Sequence, residues 1–149
     1  MTDIREANGS CLCGEINISA KSMNTHVGAC HCSICRKWGG GPLMAVECGT
    51  EVSFSDNELI TTFNSSEWAE RGFCKQCGSH LFYRLKVNNF HYMPVGIFDD
   101  SDDVVFDHQV FIDFKPDYYE FANTTKNLTE AEVFAQHSKH RQLINPELL

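Results

Sequence analysis

The sequence is short of positive charge. Among its 149 residues, Lys plus Arg number 12 against 20 Asp plus Glu, a formal charge of −8. Proteins that grip phosphate backbones carry a basic face, so this balance argues against nucleic acid as a partner. It leaves room for a local basic pocket that takes a small anion. No apolar run reaches the ~18 residues of a membrane span. The polar, acidic opening MTDIREANGS also lacks the apolar centre of a secretory signal. The expectation is a protein of the reducing cytoplasm with no membrane partner. The glycosylation triplets at Asn64, Asn123 and Asn127 are then chance matches. No repeat of solenoid length and no low-complexity linker divides the chain. With ordinary apolar (42 %) and charged (21 %) content, it reads as one domain able to bury a core.

What is present is alternation. EINISA places Ile16, Ile18 and Ala20 on one face of a strand. PLMAVEC, LITTF, RGFC, HLFYRL, FHYMPVGIF and HQVFIDF read as further strands, rich in Phe, Tyr, Val and Ile and separated by Gly, Asn, Asp and Ser clusters. A mostly-β domain over residues 1–127 is expected. One helix is expected after it, within 128–149. Thr129 and Glu132 have capping-box spacing, and Val133 and Phe134 can dock the helix on the sheet. His137 and His140 fall in a solvated tail.

Eight cysteines are present, and in a reducing compartment they point to metal rather than disulfides. Seven fall into three short groups, and Cys48 stands alone. Cys11 and Cys13 form a C-x-C, and Cys74 and Cys77 a C-x-x-C. Each pair is followed at once by a glycine, Gly14 or Gly78, able to take the positive φ of a tight metal-binding turn. Two such pairs supply the four thiolates of a structural zinc site. Closing the ~60-residue loop between them costs roughly 3–4 kcal/mol. Structural zinc contributes about 10–16 kcal/mol in small metal-folded domains, so the metal wins. The competing readings are buried apolar thiols, a redox dithiol at Cys74 and Cys77, and an iron–sulfur cluster. A strand-like HLFYRL follows the C-x-x-C where a redox motif opens a helix, and ferredoxin spacings are absent.

The remaining group, Cys30, Cys32 and Cys35, gives three thiolates in one segment. Three protein ligands are the usual complement of a zinc site that keeps a position open for chemistry. Thiolate donors make such a zinc less suited to producing hydroxide and better suited to a soft ligand, above all a substrate thiol held as thiolate. The fourth position is open to His31, Cys48, water or a substrate sulfur. His31 neighbours two ligands but points the other way in an extended segment. Cys48 ends an apolar strand, where a core position is the ordinary fate. Arg36 and Lys37 follow the cluster and can attract an anionic thiol. The backbone of Gly39, Gly40 and Gly41 can approach a ligand closely. A solvated basic turn and flexible loop is the competing reading, and without a following GK[ST] these glycines form no P-loop.

Taken in order, GSCLCGEI, ACHCSICRKWGG, RGFCKQCGSHLFYR, VGIFDD and HQVFIDFKPDYYEF resemble the glutathione-dependent formaldehyde-activating enzyme family, also called the centromere protein V/GFA domain, from about Ser10 to about Phe121. The resemblance implies an all-β, Mss4-like fold and a structural zinc on Cys11, Cys13, Cys74 and Cys77. It also implies a second zinc on Cys30, Cys32 and Cys35 at the glutathione site. The implied activity is that of a carbon–sulfur lyase joining glutathione, as co-substrate, to formaldehyde or a related aldehyde. On that reading Cys30, Cys32 and Cys35 are the catalytic residues; Arg36, Lys37 and Gly40 are candidate glutathione contacts by their place beside the cluster. Tyr118 and Tyr119 stand where the family often has tryptophan. The alternative is a non-catalytic interaction module whose second zinc is closed by Cys48. Chromatin binding, suggested by the centromere name, runs against the −8 charge.

Overall fold

The computed structural model describes residues 3–138. Its strands are β1 (Ile4–Ser10), β2 (Asn17–Asn24), β3 (His26–Cys30), β4 (Leu43–Gly49), β5 (Val52–Phe54), β6 (Ile60–Asn64), β7 (Ala69–Cys74), β8 (His80–Leu85), β9 (His91–Pro94), β10 (Val105–Val110) and β11 (Lys126–Leu128). The described residues form two α-helices, α1 (Ser33–Gly39) and α2 (Glu130–Ser138). No helix among the described residues is long and apolar enough to cross a membrane.

The mostly-β expectation holds, and the alternation behind it is real. In β2, Ile18 and Ala20 are buried while Asn17, Ser19 and Lys21 face out, and Ile16 just before the strand is buried too. Strands β1, β2 and β5 make a small antiparallel sheet. The other eight run in the order β11-β10-β3-β4-β9-β8-β7-β6. Within this sheet β10 lies parallel to both β3 and β11, and the remaining pairs are antiparallel. The core forms where the sheets face each other. Ala7, Ile18 and Met23 of the small sheet pack in one cluster with Val46, Leu81, Phe82 and Met93 of the large one.

The C-terminal helix is capped as its sequence implies. The Thr129 N–H donates to Glu132 Oε1 at 2.9 Å, and the Glu132 N–H donates to Thr129 Oγ1 at 3.2 Å. Val133 is buried, and Phe134 meets the edge of Phe111 at 6.0 Å. His140 and the side chain of His137 lie outside the described residues.

Two expectations need correction. The single-helix reading misses α1, which begins inside the C-x-C-x-x-C segment. The Cys32 sulfur accepts the Cys35 N–H at 3.3 Å and caps the helix, while Gly40, at φ 83°, ends it and returns its N–H to Arg36 O. Seven residues carry too little periodicity to announce a helix. The last two long strand readings also stop early. FHYMPVGIF leaves the sheet at Pro94 for a 3₁₀ turn over Val95–Ile97. HQVFIDF leaves it at Phe111, whose φ of 55° turns the chain into another such turn over Ile112–Phe114.

Candidate functional site

Cys11, Cys13, Cys74 and Cys77 come together, with all four sulfurs within 4.8 Å of one another. Cys11 Sγ lies 3.5 Å from Cys13 Sγ, and Cys13 Sγ lies 3.8 Å from Cys74 Sγ. Four sulfurs at 2.3 Å from a tetrahedral zinc stand about 3.8 Å apart, so this donor set fits the ion. Gly14 and Gly78 take the left-handed turns that sequence spacing assigned them, at φ 80° and 79°. The Ile16 N–H donates to Cys11 Sγ at 3.4 Å, and the Ser79 hydroxyl lies 3.2 Å from Cys77 Sγ. Ser79, through its hydroxyl and then its N–H, holds the Cys77 thiol well below the usual thiol range.

Cys30, Cys32 and Cys35 form a second group, again with their sulfurs within 4.8 Å. The end of β3 supplies Cys30, the cap of α1 supplies Cys32, and its first turn supplies Cys35. Among the described residues no other Cys, His, Asp or Glu joins them. Three thiols with one side free fit a three-ligand zinc. Hydrogen bonds from the Cys30 and Cys35 thiols lower the pKa of Cys32, helped by the Cys35 N–H and the nearby Arg71 guanidinium.

Neither protein candidate for the fourth position is there. The Cys48 side chain is fully buried in the main core, its sulfur 3.8 Å from Val46 O, and burial pushes its thiol up to about 12. His31 is held on both ring nitrogens. Nε2 meets Gln109 Oε1 at 2.8 Å, and Nδ1 meets Tyr119 Oη at 2.8 Å. An amide oxygen only accepts, so Nε2 donates. Burial lowers the pKa of this ring and favours its neutral form, so Nδ1 accepts the Tyr119 proton. Tyr119 thus braces the cysteine segment through His31.

The three sulfurs line a cavity of about 620 Å³. None of Arg36, Lys37 or Gly40 lines it. The Arg36 side chain is spent on His31 O, to which its Nε donates at 2.9 Å, while Lys37 and Gly40 are exposed. Gly39 and Gly41 line a separate cleft of about 410 Å³ with Cys35 and His80.

The cavity holds functional groups that sequence reasoning missed. Arg71 of β7 is 2 % exposed. Its guanidinium carbon lies 4.9 Å from the centre of the Trp38 ring and 4.8 Å from that of Tyr83. Its Nη2 donates to Cys35 Sγ at 3.5 Å. A charge at the inward register shared with Ala69 was the available signal. A second set comes from β10. Val110 pairs with Cys30 and His108 with Gly28, which sets His108 two residues along the same face from the cysteine. The His108 ring occupies the space above Gly28, where any Cβ would collide with it. The Asp107 carboxylate holds two histidines: one oxygen meets His108 Nδ1 at 2.8 Å, the other meets His26 Nδ1. Asp107 first, and Asp3 next, raise the pKa of His26.

Comparison with known proteins agrees with this arrangement. Residues 6–113 match the family model of the glutathione-dependent formaldehyde-activating enzyme. A protein of Schizosaccharomyces pombe named "Uncharacterized lyase" is 40 % identical over 129 residues, covering 86 % of this chain and 94 % of its own. Proteins of Aspergillus flavus and Aspergillus oryzae named "Putative glutathione-dependent formaldehyde-activating enzyme" are each 27 % identical over 84 residues, 53 % of this chain and 44 % of theirs. A crystal structure of a Rhodobacter sphaeroides protein superposes with a TM-score of 0.51 at 25 % identity, over 60 % of this chain and 85 % of that one. With most of the cysteine framework and the β fold inside the matched span, the chain belongs to the glutathione-dependent formaldehyde-activating enzyme family.

Proposed function

We propose that the protein is a carbon–sulfur lyase that adds glutathione, or a similar small thiol, to formaldehyde or a related aldehyde, and that it runs the same bond cleavage in reverse. One observation carries this reading: three sulfurs, and no fourth protein ligand among the described residues, line a 620 Å³ cavity. Cys30, Cys32 and Cys35 would hold a zinc ion. When bound, zinc supplies the Lewis acidity that keeps a thiol ionised at neutral pH.

The chain's own groups manage the proton. Asp107 accepts from His108 Nδ1–H, which leaves Nε2 as the ring nitrogen that can exchange a proton with substrate. Along β3, Gly28 and Cys30 are about 7 Å apart, enough for a small carbonyl to sit between His108 and the sulfurs. His108 Nε2 takes the proton of the incoming thiol. As sulfur bonds to the carbonyl carbon and the C=O π pair moves to oxygen, the same nitrogen returns the proton there. The Arg71 guanidinium faces the charge that collects around the cysteines. Holding thiol and aldehyde in one cavity supplies much of the rate, and since the free addition is already facile, modest acceleration is sufficient.

The test is adduct formation by the purified, zinc-titrated full chain, followed by exchange NMR between free formaldehyde and S-hydroxymethylglutathione, with glutathione affinity measured in parallel. Acceleration above the uncatalysed exchange is expected. Failure of glutathione and other small thiols to bind would sink the substrate class.

A further inference from the structure

Four buried side-chain nitrogen or oxygen atoms lack a hydrogen-bond partner among the described residues. They are Arg71 Nε, Arg71 Nη1, Ser65 Oγ and Ser66 Oγ. All three residues line the one cavity that also holds the cysteine sulfurs. Scattered packing faults would not gather in one place. An unpaired buried donor costs free energy, and an unpaired buried cation costs more, so such a cluster calls for a ligand of matching chemistry.

The charge of Arg71 has one evident purpose, to face the thiols. That accounts for Nη2, which reaches Cys35 Sγ. It leaves Nε and Nη1. Among the described residues no other lysine, arginine, aspartate or glutamate is buried, so no carboxylate of the protein is buried alongside to answer them. The rings of Trp38 and Tyr83 lie on the guanidinium and hold its plane. Its orphan donors are therefore fixed in place before any ligand arrives. Unpaired N–H donors of a buried cation, with hydroxyls lining the same cavity, are the chemistry that recognises an anion such as a carboxylate.

Position then narrows the carboxylate's owner. Arg71 Nη2 touches Cys35 Sγ, so a carboxylate on the remaining donors lies beside the cysteine group. In a 2-oxo acid the carboxylate is bonded directly to the carbonyl carbon, so binding there carries the electrophilic carbon to the place where the thiol is held. Glutathione brings carboxylates of its own, and competition against glutathione tells the two owners apart.

We propose that Arg71, with the Ser65 and Ser66 hydroxyls, forms a carboxylate subsite beside Cys30, Cys32 and Cys35, and that the carbonyl partner is a small 2-oxo acid bearing an aldehyde. The reaction class rests on the thiol-addition reading above. The step balances without an outside oxidant or reductant. The thiol S–H adds across the C=O, the C–S bond forms, the π bond breaks, and the thiol proton ends on the new hydroxyl. The carboxylate is unchanged throughout.

The experiment uses the zinc-loaded full chain and two readouts. The first compares glutathione addition to glyoxylate with addition to its methyl ester, each corrected for the uncatalysed rate. The kcat/KM for glyoxylate should exceed that for the ester by about tenfold or more, the weight of a hydrogen-bonded charge. Arg71→Gln should bring the ratio close to one, with the loss in KM for glyoxylate, and Arg71→Lys should keep part of it. The second readout needs no turnover. Oxamate, an unreactive carboxylate probe, should bind the wild-type protein, compete with glyoxylate and leave glutathione affinity unchanged, while neutral oxamide should not bind. A measurable acceleration that is equal for acid and ester, or no oxamate binding to the wild type, would overturn the subsite. Oxamate competing with glutathione would assign the carboxylate to the thiol and overturn it as well. The wild-type binding result decides the matter even where Arg71→Gln does not fold. If no carbonyl is accelerated but oxamate still binds, the addition reading falls and the carboxylate subsite stands.

Discussion

The two sulfur groups are built from the same side chain for opposite ends. The four-cysteine group joins two turns from distant parts of the chain, one after β1 and one after β7, and each turn closes on a left-handed glycine. The three-cysteine group comes from a single strand-to-helix segment and opens on a large cavity containing a buried arginine and an Asp–His pair. The first offers four sulfurs, enough for a tetrahedral donor set. The second offers three, with polar groups around its open side. Stapling needs sequence separation, because the entropy gained is that of a long loop. Chemistry needs the reverse: ligands from one short segment, leaving the rest of the fold to build walls.

The contrast can be broken, and the largest effect belongs to the staple. Cys74→Ser leaves three sulfurs in the group; on the proposed reading of a structural zinc it weakens a metal contribution of about 10–16 kcal/mol, as large as the ~5–15 kcal/mol that a whole domain commonly has. The expected outcome is loss of cooperative unfolding in circular dichroism, with zinc content falling at both groups. Cys32→Ser should behave differently. It should keep the far-ultraviolet spectrum and the melting transition, lose one zinc of two by metal analysis, and lose thiol addition down to the uncatalysed rate. Unfolding of this variant would show that the second group is also structural.

A third prediction separates the cavity wall from the metal. His108→Gln leaves all seven clustered cysteines in place, so zinc content should stay at two. The addition kcat should fall about 10²-fold, the ordinary weight of a positioned proton carrier. Added imidazole should restore part of it, whereas a purely structural role would give no rescue. The smallest effect is electrostatic. His26 is stabilised as a cation by Asp107 and Asp3. Its pKa in the folded state is raised, so this contribution is full below about pH 6.5 and disappears as pH rises through the folded value. The ring is partly exposed and solvent screens the pair. Urea midpoints for wild type and His26→Gln should differ more at pH 6 than at pH 8.5; an equal difference at both would remove His26 from the pH response.

How much of this could be read from sequence follows from what is local. The meeting of Cys11, Cys13, Cys74 and Cys77 was legible because a C-x-C, a C-x-x-C and their glycines are short-range patterns. The strands were legible by parity, as Ile16, Ile18 and Ala20 illustrate. Helix α1 was not, because seven residues capped by a cysteine carry no helical period. Arg36 and Lys37 follow the cluster in sequence, which is what suggests them as contacts. A helix turns each residue about 100° from the last, however, and of this stretch it is Ser33, Ile34 and Cys35 that line the cavity. The groups that do accompany the cysteines there, Arg71 and His108, arrive through the sheet. The parallel pairing of β10 with β3 joins residues about eighty positions apart, and no window along the sequence contains both. Gly28 was legible only in hindsight, since its role is to leave room for a ring from another strand.

The aromatic packing around Arg71 has an optical consequence. The sequence has two tryptophans, and both belong to this site. Trp38 lies on the guanidinium, and Trp68 lines the cavity, where its Nε1 donates to the Tyr83 hydroxyl at 3.1 Å. Indole emission from the whole molecule therefore originates beside the three cysteines. Occupation of the cavity, loading of the metal and motion of the guanidinium should each register in the fluorescence of the unlabelled protein. The four-cysteine group has no tryptophan in its turns and reaches the indoles through His80, three residues after Cys77, whose ring stacks on Trp38 at 3.7 Å.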